Sequence, residues 1–151
     1  MSNTDVIKSL VVNRKAKHEY TLTDRFEAGM VLTGSEVKSL RTDGSANLMD
    51  AYVELRDDGA WLLSFYIAPY DHANRENHEP RRARQLLLHK QEISKLRKVT
   101  RERGMTVIPT HVYFKGSRVK VEIAVAQGKK LHDKRHAIKE RDIEKQLRRI
   151  R

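Results

Sequence analysis

The sequence predicts a mainly β fold: a small closed or nearly closed barrel of five or six short strands, one packed helix and a basic C-terminal tail. Three observations lead there. In residues 118–126, RVKVEIAVA, Val119, Val121, Ile123 and Val125 alternate with Arg118, Lys120 and Glu122, which is the period of a strand with one buried face. Turn-forming residues separate this run from other short apolar runs. The last 24 residues hold ten Lys or Arg against four acids, a net +6 out of the chain's +11.

A chain of 151 residues suits one domain plus an extension. Its 38% hydrophobic content supports a modest core, and its 34% charged content is well above the ~25% usual in globular proteins. The predicted organisation is a flexible N-terminus over 1–12, a β domain over 13–127 and a tail over 128–151. The body is basic as well, so the charge points to nucleic acid before acidic proteins. A membrane partner is not expected, because no run approaches the ~18 apolar residues of a spanning helix. The start, MSNTD, lacks the basic and apolar regions of a signal peptide. No cysteine is present, which removes disulfides and thiolate metal sites and suits a reducing cytoplasm.

The elements follow in chain order. His18 to Leu22 reads as a short strand, and Thr23-Asp24 as a cap on a single helical turn over 25–27. Residues 28–40 read as a longer β segment, with Gly29 and Gly34 marking a bend, a bulge or a close backbone approach. A short helix is sketched at 48–52. Residues 51–56 and 61–67 form a hairpin turned at Asp57-Asp58-Gly59-Ala60. Residues 69–80 make a twelve-residue polar connection, a length often functional. Over 85–103, Leu86, His89, Ile93, Leu96 and Thr100 fall on one side at helical spacing, and Gly104 stops that helix. Residues 107–114 precede the 118–126 strand across a turn at Lys115-Gly116-Ser117. Strands closed around one helix remove open sheet edges, and an oligonucleotide-binding barrel fits this best. In the tail, Ile143, Leu147 and Ile150 make only a narrow stripe, so a tail helix is expected to form on a target rather than alone.

Several constellations could carry function. Asn13, Arg14, Lys15, Lys17 and His18 form a basic edge able to meet phosphates and bases, or simply a solvated charge run. Glu27 beside Phe26 and Gly29 could accept from a guanine edge or a ribose hydroxyl; a salt-bridged or capping acid is the competing reading. Lys38 and Arg41 lie in an alternating run, 36–41, that reads as a solvated strand face. His72 with His78, and His132 with His136, are weak metal pairs, since no ordered carboxylates or thiolates accompany them. His132 suits base stacking and Lys134 and Arg135 suit phosphates, while Asp133 either meets a specific partner or caps a tail helix. Asp24, Glu27 and Glu36 could be imagined as a nuclease cluster, but nothing fixes their geometry. No nucleophile elbow or phosphate loop is present, so no catalytic set, metal or cofactor is expected.

Five blocks in order, NRKAKHEY (13–20), FEAG (26–29), GSEVKSLR (34–41), NHEPRRARQLLLHKQEI (77–93) and GKKLHDKR (128–135), resemble the SsrA-binding protein family, also called small protein B. Residues 1–12 fall outside the resemblance, and Ala73, Gln85 and His136 depart from it. The resemblance implies a non-enzymatic adaptor of ribosome rescue, one copy per tmRNA, with an oligonucleotide-binding-like barrel on the tRNA-like domain of tmRNA. It places Asn13, Glu27 and Leu87 at RNA-binding positions. It also implies that the tail, with Gly128, Lys129, Lys130, His132, Asp133, Lys134 and Arg135, enters the empty mRNA channel near the decoding site. A general structured-RNA-binding or ribosomal protein is the alternative.

Overall fold

The computed structural model describes residues 6–42, 45–70, 77–102 and 104–128. The elements in chain order are β1 (Ile7–Val12), α1 (Arg14–Glu19), β2 (Tyr20–Met30), α2 (Gly34–Arg41), β3 (Ala46–Asn47), β4 (Tyr52–Arg56), β5 (Gly59–Leu63), β6 (Tyr66–Ile67), β7 (Arg84–Leu87), α3 (Lys90–Thr100), β8 (Met105–Lys115) and β9 (Arg118–Gly128). Seven strands form one antiparallel sheet in the order β1-β8-β9-β2-β7-β5-β4, and β3 pairs with β6. The fold is therefore mainly β with few helices.

The long β8–β9 hairpin is the part the alternation predicts. Its turn is Gly116-Ser117, with Lys115 paired to Arg118 and Gly116 at φ 62°, a left-handed angle that suits glycine. The β4–β5 hairpin turns at Asp57-Asp58, with Arg56 paired to Gly59. Two bulges bend the sheet. One lies in β2 between Leu22 and Arg25, the other in β8 between Pro109 and His111. Both sit opposite the same stretch of β9, and each adds local twist. The sheet curls until β4 lies against β8. No ladder joins them among the described residues, so the hydrogen-bonded barrel is not closed. The core fills the concave side, where Leu62, Phe65, Ile67, Leu96 and Ile123 are all fully buried. Each such side chain contributes roughly 1.5–3 kcal/mol on transfer from water.

Several local expectations are corrected. The segment 28–40 is not one strand: β2 ends at Met30, and 34–41 is helix α2. Thr33 caps it, its hydroxyl accepting from the Glu36 N–H at 3.4 Å while the Glu36 carboxylate accepts from the Thr33 N–H at 2.8 Å. This reciprocal capping box starts a helix that alternation alone hides. Thr23-Asp24 caps nothing, since it lies inside the β2 bulge. His18 belongs to α1, and the strand begins at Tyr20. The helix sketched at 48–52 is a turn, with Asp50 at φ 64°. The helix read over 85–103 is two elements: Arg84–Leu87 is strand β7, wedged between β2 and β5, and α3 spans only Lys90–Thr100. Strand pairing thus overrode helical spacing at 85–88. Ile7–Val12, in the segment expected to be flexible, forms edge strand β1 against β8.

Candidate RNA-binding face

Side chains on β2, β9, β8 and β7 that point away from the core form one polar face. Glu27 pairs in register with Glu122, and Gly29 with Lys120 on one side and Leu87 on the other. Because side chains alternate, Glu27, Gly29, Leu87, Lys120 and Glu122 share this face. On β8, His111, Tyr113 and Lys115 join it by the same parity.

Glu27 is held from two sides. The Tyr113 hydroxyl donates a short hydrogen bond to one carboxylate oxygen, and Lys115 Nζ lies 3.2 Å from the other. The Tyr113 bond leads in holding the Glu27 carboxyl below its ordinary range, against the opposing effect of burial and with help from Lys115. Burial, and then the Glu27 carboxylate, push the Tyr113 phenol up. Glu27 is therefore an ionised, oriented acceptor at neutral pH. Its side chain keeps 38% exposure, so a ligand can reach it. The competing reading of a salt-bridged acid is correct about the bond, but the group is not sealed.

Leu87 is 58% exposed beside this carboxylate. A Cβ on Gly29 would meet Leu87 Cβ at 3.3 Å, so the glycine makes room for that leucine to lie over β2. Gly29 thus marks the close approach its position suggested.

Asn13 stands at the start of α1. Its side-chain amide donates to Pro109 O at 2.9 Å and its backbone N–H to Thr110 O at 2.8 Å. Both partners belong to the β8 bulge, and Thr110 in turn donates to the Glu122 carboxylate, the residue paired with Glu27. The bulge therefore links Asn13 to the acidic centre of the face. Helix α1 buries Ala16 and leaves Arg14, Lys15, Lys17 and His18 exposed at the rim. Gly128 ends β9 opposite Tyr20, so the tail leaves the body beside this basic helix.

Lys38 and Arg41 lie apart from α1, on α2. Lys38 Nζ is 5.9 Å from the Tyr70 ring centroid, and Arg41 sits over Phe114 at 5.9 Å. The reading of 36–41 as a solvated strand face is wrong for Glu36, which is fully buried. Arg82 Nη2 lies 2.6 Å from its Oε1, and Arg84 Nε donates a short bond to its Oε2. Burial disfavours the charged carboxyl, but Arg82, the Thr33 N–H and Arg84 outweigh it and hold Glu36 below its usual range. Arg84 also donates to Phe65 O at 2.5 Å and Pro80 O at 3.1 Å, which ties α2 to the chain entering β7.

The nuclease cluster is not assembled. Asp24 pairs with Lys95 at 3.8 Å, Glu27 with Lys115, and Glu36 with Arg82 and Arg84. No metal-holding group of three or more His, Cys, Asp or Glu occurs among the described residues. His78 has both ring nitrogens engaged, with Ser35 Oγ and Ile67 O, each at 2.9 Å. His72 and His136 lie outside the described residues, as do tail residues Lys129, Lys130, His132, Asp133, Lys134 and Arg135. Tyr113, Lys115, Lys120 and Glu122 were missed as members of the face. The alternation of β8 and β9 carried the signal for them. No described helix is long and apolar enough to cross a membrane.

Comparison with known proteins gives one family. The family described as SmpB protein matches residues 10–151. The chain is 50% identical over 140 residues to an SsrA-binding protein of Desulforudis audaxviator, covering 93% of this chain and 91% of that protein. It is 47% identical over 149 residues to an SsrA-binding protein of Aquifex aeolicus, covering 99% and 95%. A solved chain described as "tmRNA-SmpB: a journey to the center of the bacterial ribosome" superposes with a TM-score of 0.66 at 39% identity, covering 78% of this chain and 82% of that one. With the match running from β1 through the basic tail, the chain belongs to the SmpB family of SsrA-binding proteins.

Proposed function

We propose that this protein is a non-enzymatic adaptor of ribosome rescue that binds the tRNA-like domain of tmRNA and brings it to stalled ribosomes. The observation that carries the reading is the family match over residues 10–151, which includes both the polar face and the tail. The body acts as an oligonucleotide-binding-like barrel, with β4 laid against β8 in place of a closing ladder. On its outer face the ionised Glu27 accepts from a base edge or ribose hydroxyl. Leu87 packs against an unstacked base or sugar. Asn13 sets the start of α1, whose Arg14, Lys15, Lys17 and His18 meet phosphates, and Lys38 and Arg41 extend the cationic rim.

The domain over 13–127 holds the RNA while the tail over 128–151 takes up the empty mRNA channel. Gly128, Lys129 and Lys130 lead out of the body beside α1. His132 stacks near decoding bases, and Asp133, Lys134 and Arg135 make the specific contacts. A channel filled by message excludes the tail, which makes the test for stalling steric and needs no chemistry from this chain. Two attachment points raise the effective concentration at the second one. The protein works in the cytoplasm as a monomer, one per tmRNA.

Competition between tmRNA and bulk tRNA for the protein and its Glu27→Ala variant tests the RNA-binding half. Glu27→Ala should weaken tmRNA binding about tenfold, in line with loss of a charge-assisted hydrogen bond, and leave circular dichroism unchanged. Unchanged affinity removes Glu27 from the interface. Equal affinity of the wild type for tmRNA and unrelated structured RNA favours a general RNA-binding protein instead.

A further inference from the structure

The end of the polar face nearest the β8–β9 turn opens into a cleft of about 290 Å³, lined by Val6, Lys8, Arg41, Phe114, Gly116 and Ser117. We propose that this cleft holds one unstacked nucleotide of the bound RNA, its base on the Arg41 guanidinium and its phosphate on Lys8. The proposal rests on the RNA-binding reading above and adds a subsite to it.

The lining has two parts. Val6 and Phe114 give it apolar walls, and Lys8 pairs in register with Phe114 on the neighbouring strand. Arg41 lies over the Phe114 ring at 5.9 Å, so an aromatic layer beneath supports its guanidinium. Bases stack on guanidinium planes as they do on aromatic rings, so a planar group can settle on Arg41 without displacing Phe114. Lys8 and Arg41 are exposed and form no ion pair with the described residues, and no acid is among the lining residues. The Gly116 N–H donates to Val6 O at 3.1 Å and ties the turn to β1. Ser117 is exposed, and its hydroxyl is placed to meet a base edge.

Position selects RNA over an acidic peptide. Lys115 lies between Phe114 and Gly116 in sequence, and its ammonium reaches the Glu27 carboxylate. A strand of RNA crossing Glu27 and Lys115 arrives at Arg41 next. Carboxylates of a peptide would satisfy the two cations but leave the stacking plane bare.

The test measures affinity of the full-length chain for the tRNA-like domain of tmRNA by fluorescence anisotropy over a salt series, with a blunt-ended RNA duplex as second probe. Lys8→Gln with Arg41→Gln should lower affinity for the tRNA-like domain about tenfold, and two lost single-strand contacts should flatten the salt slope by about 1.4. Affinity for the duplex should stay near the wild-type value. Arg41→Lys should keep the slope and lose affinity, since an ammonium has no plane to stack on. In the wild type, amide resonances of Gly116 and Ser117 should shift on adding the tRNA-like domain. If the double variant binds like wild type while Glu27→Ala binds weakly, the cleft is not a subsite and the reading of the face stands. If neither variant loses affinity, both fail. An equal loss on the duplex reduces the cleft to backbone charge and overturns the nucleotide assignment, as would unmoved Gly116 and Ser117 resonances.

Discussion

Replacing Glu36 by Gln should destabilise the body severely although the side chain keeps its shape. In the native fold the Glu36 and Arg84 side chains are both fully buried, and Arg82 keeps 31% exposure. Gln can still accept one hydrogen bond, but it leaves the Arg84 guanidinium buried without a counter-charge. Removing one partner of such a pair costs about 3–5 kcal/mol. With a urea slope of about 2 kcal/mol/M, the midpoint should fall by roughly 1.5–2.5 M at neutral pH. The pH dependence carries a sign. Glu36 is held below its reference value of 4.5 in the folded state, so its contribution is complete above that value. It is lost as pH falls through the folded value, and the gap between wild type and variant should narrow there. Glu36→Leu combined with Arg84→Met should recover much of the loss, because an apolar pair of similar volume removes both charges together. Urea titrations at neutral and acidic pH measure all of this. A midpoint equal to wild type at neutral pH, or a gap that widens in acid, would refute the buried-pair argument.

Two further outcomes concern the polar face. Tyr113→Phe removes the leading bond to Glu27, so the Glu27 carboxyl should titrate at higher pH; carbon-detected NMR reads this, and an unmoved titration would show that Lys115 alone sets it. Gly29→Ala brings a methyl to 3.3 Å from Leu87 Cβ, so it should displace Leu87 and weaken tmRNA binding several-fold while the thermal midpoint drops only slightly; unchanged binding would separate Leu87 from the RNA.

The residues differ in how much of their fate the sequence disclosed. Val119, Val121, Ile123 and Val125 announce β9 because a one-sided strand writes its period directly into composition. Helix α2 is different. Its eight residues span barely two turns, too few for a helical period to stand out from the alternation Glu36, Lys38 and Leu40 suggest. Only the Thr33–Glu36 capping pair marked it. Strand β7 failed for the opposite reason: Leu86, Leu87 and Leu88 form an apolar run that either element accepts, and the pairing partners that decide it lie on β2 and β5. The polar contacts were least legible. Glu36 meets Arg82 and Arg84 from 46 and 48 residues away, and Glu27 meets Tyr113 and Lys115 across 86 and 88. Local pattern holds no record of such partners. The resemblance brought Asn13, Glu27 and Leu87 together, and strand register explains why two of them share a face.

The most direct measurement compares tagging by tmRNA on ribosomes whose message ends at the decoding site with tagging on ribosomes whose message continues through the channel. With the intact protein, the truncated message should be strongly preferred. Deleting residues 129–151 should abolish tagging on both while tmRNA affinity in solution stays within a few-fold. Equal tagging on the two messages by the intact protein would contradict a tail that senses an empty channel.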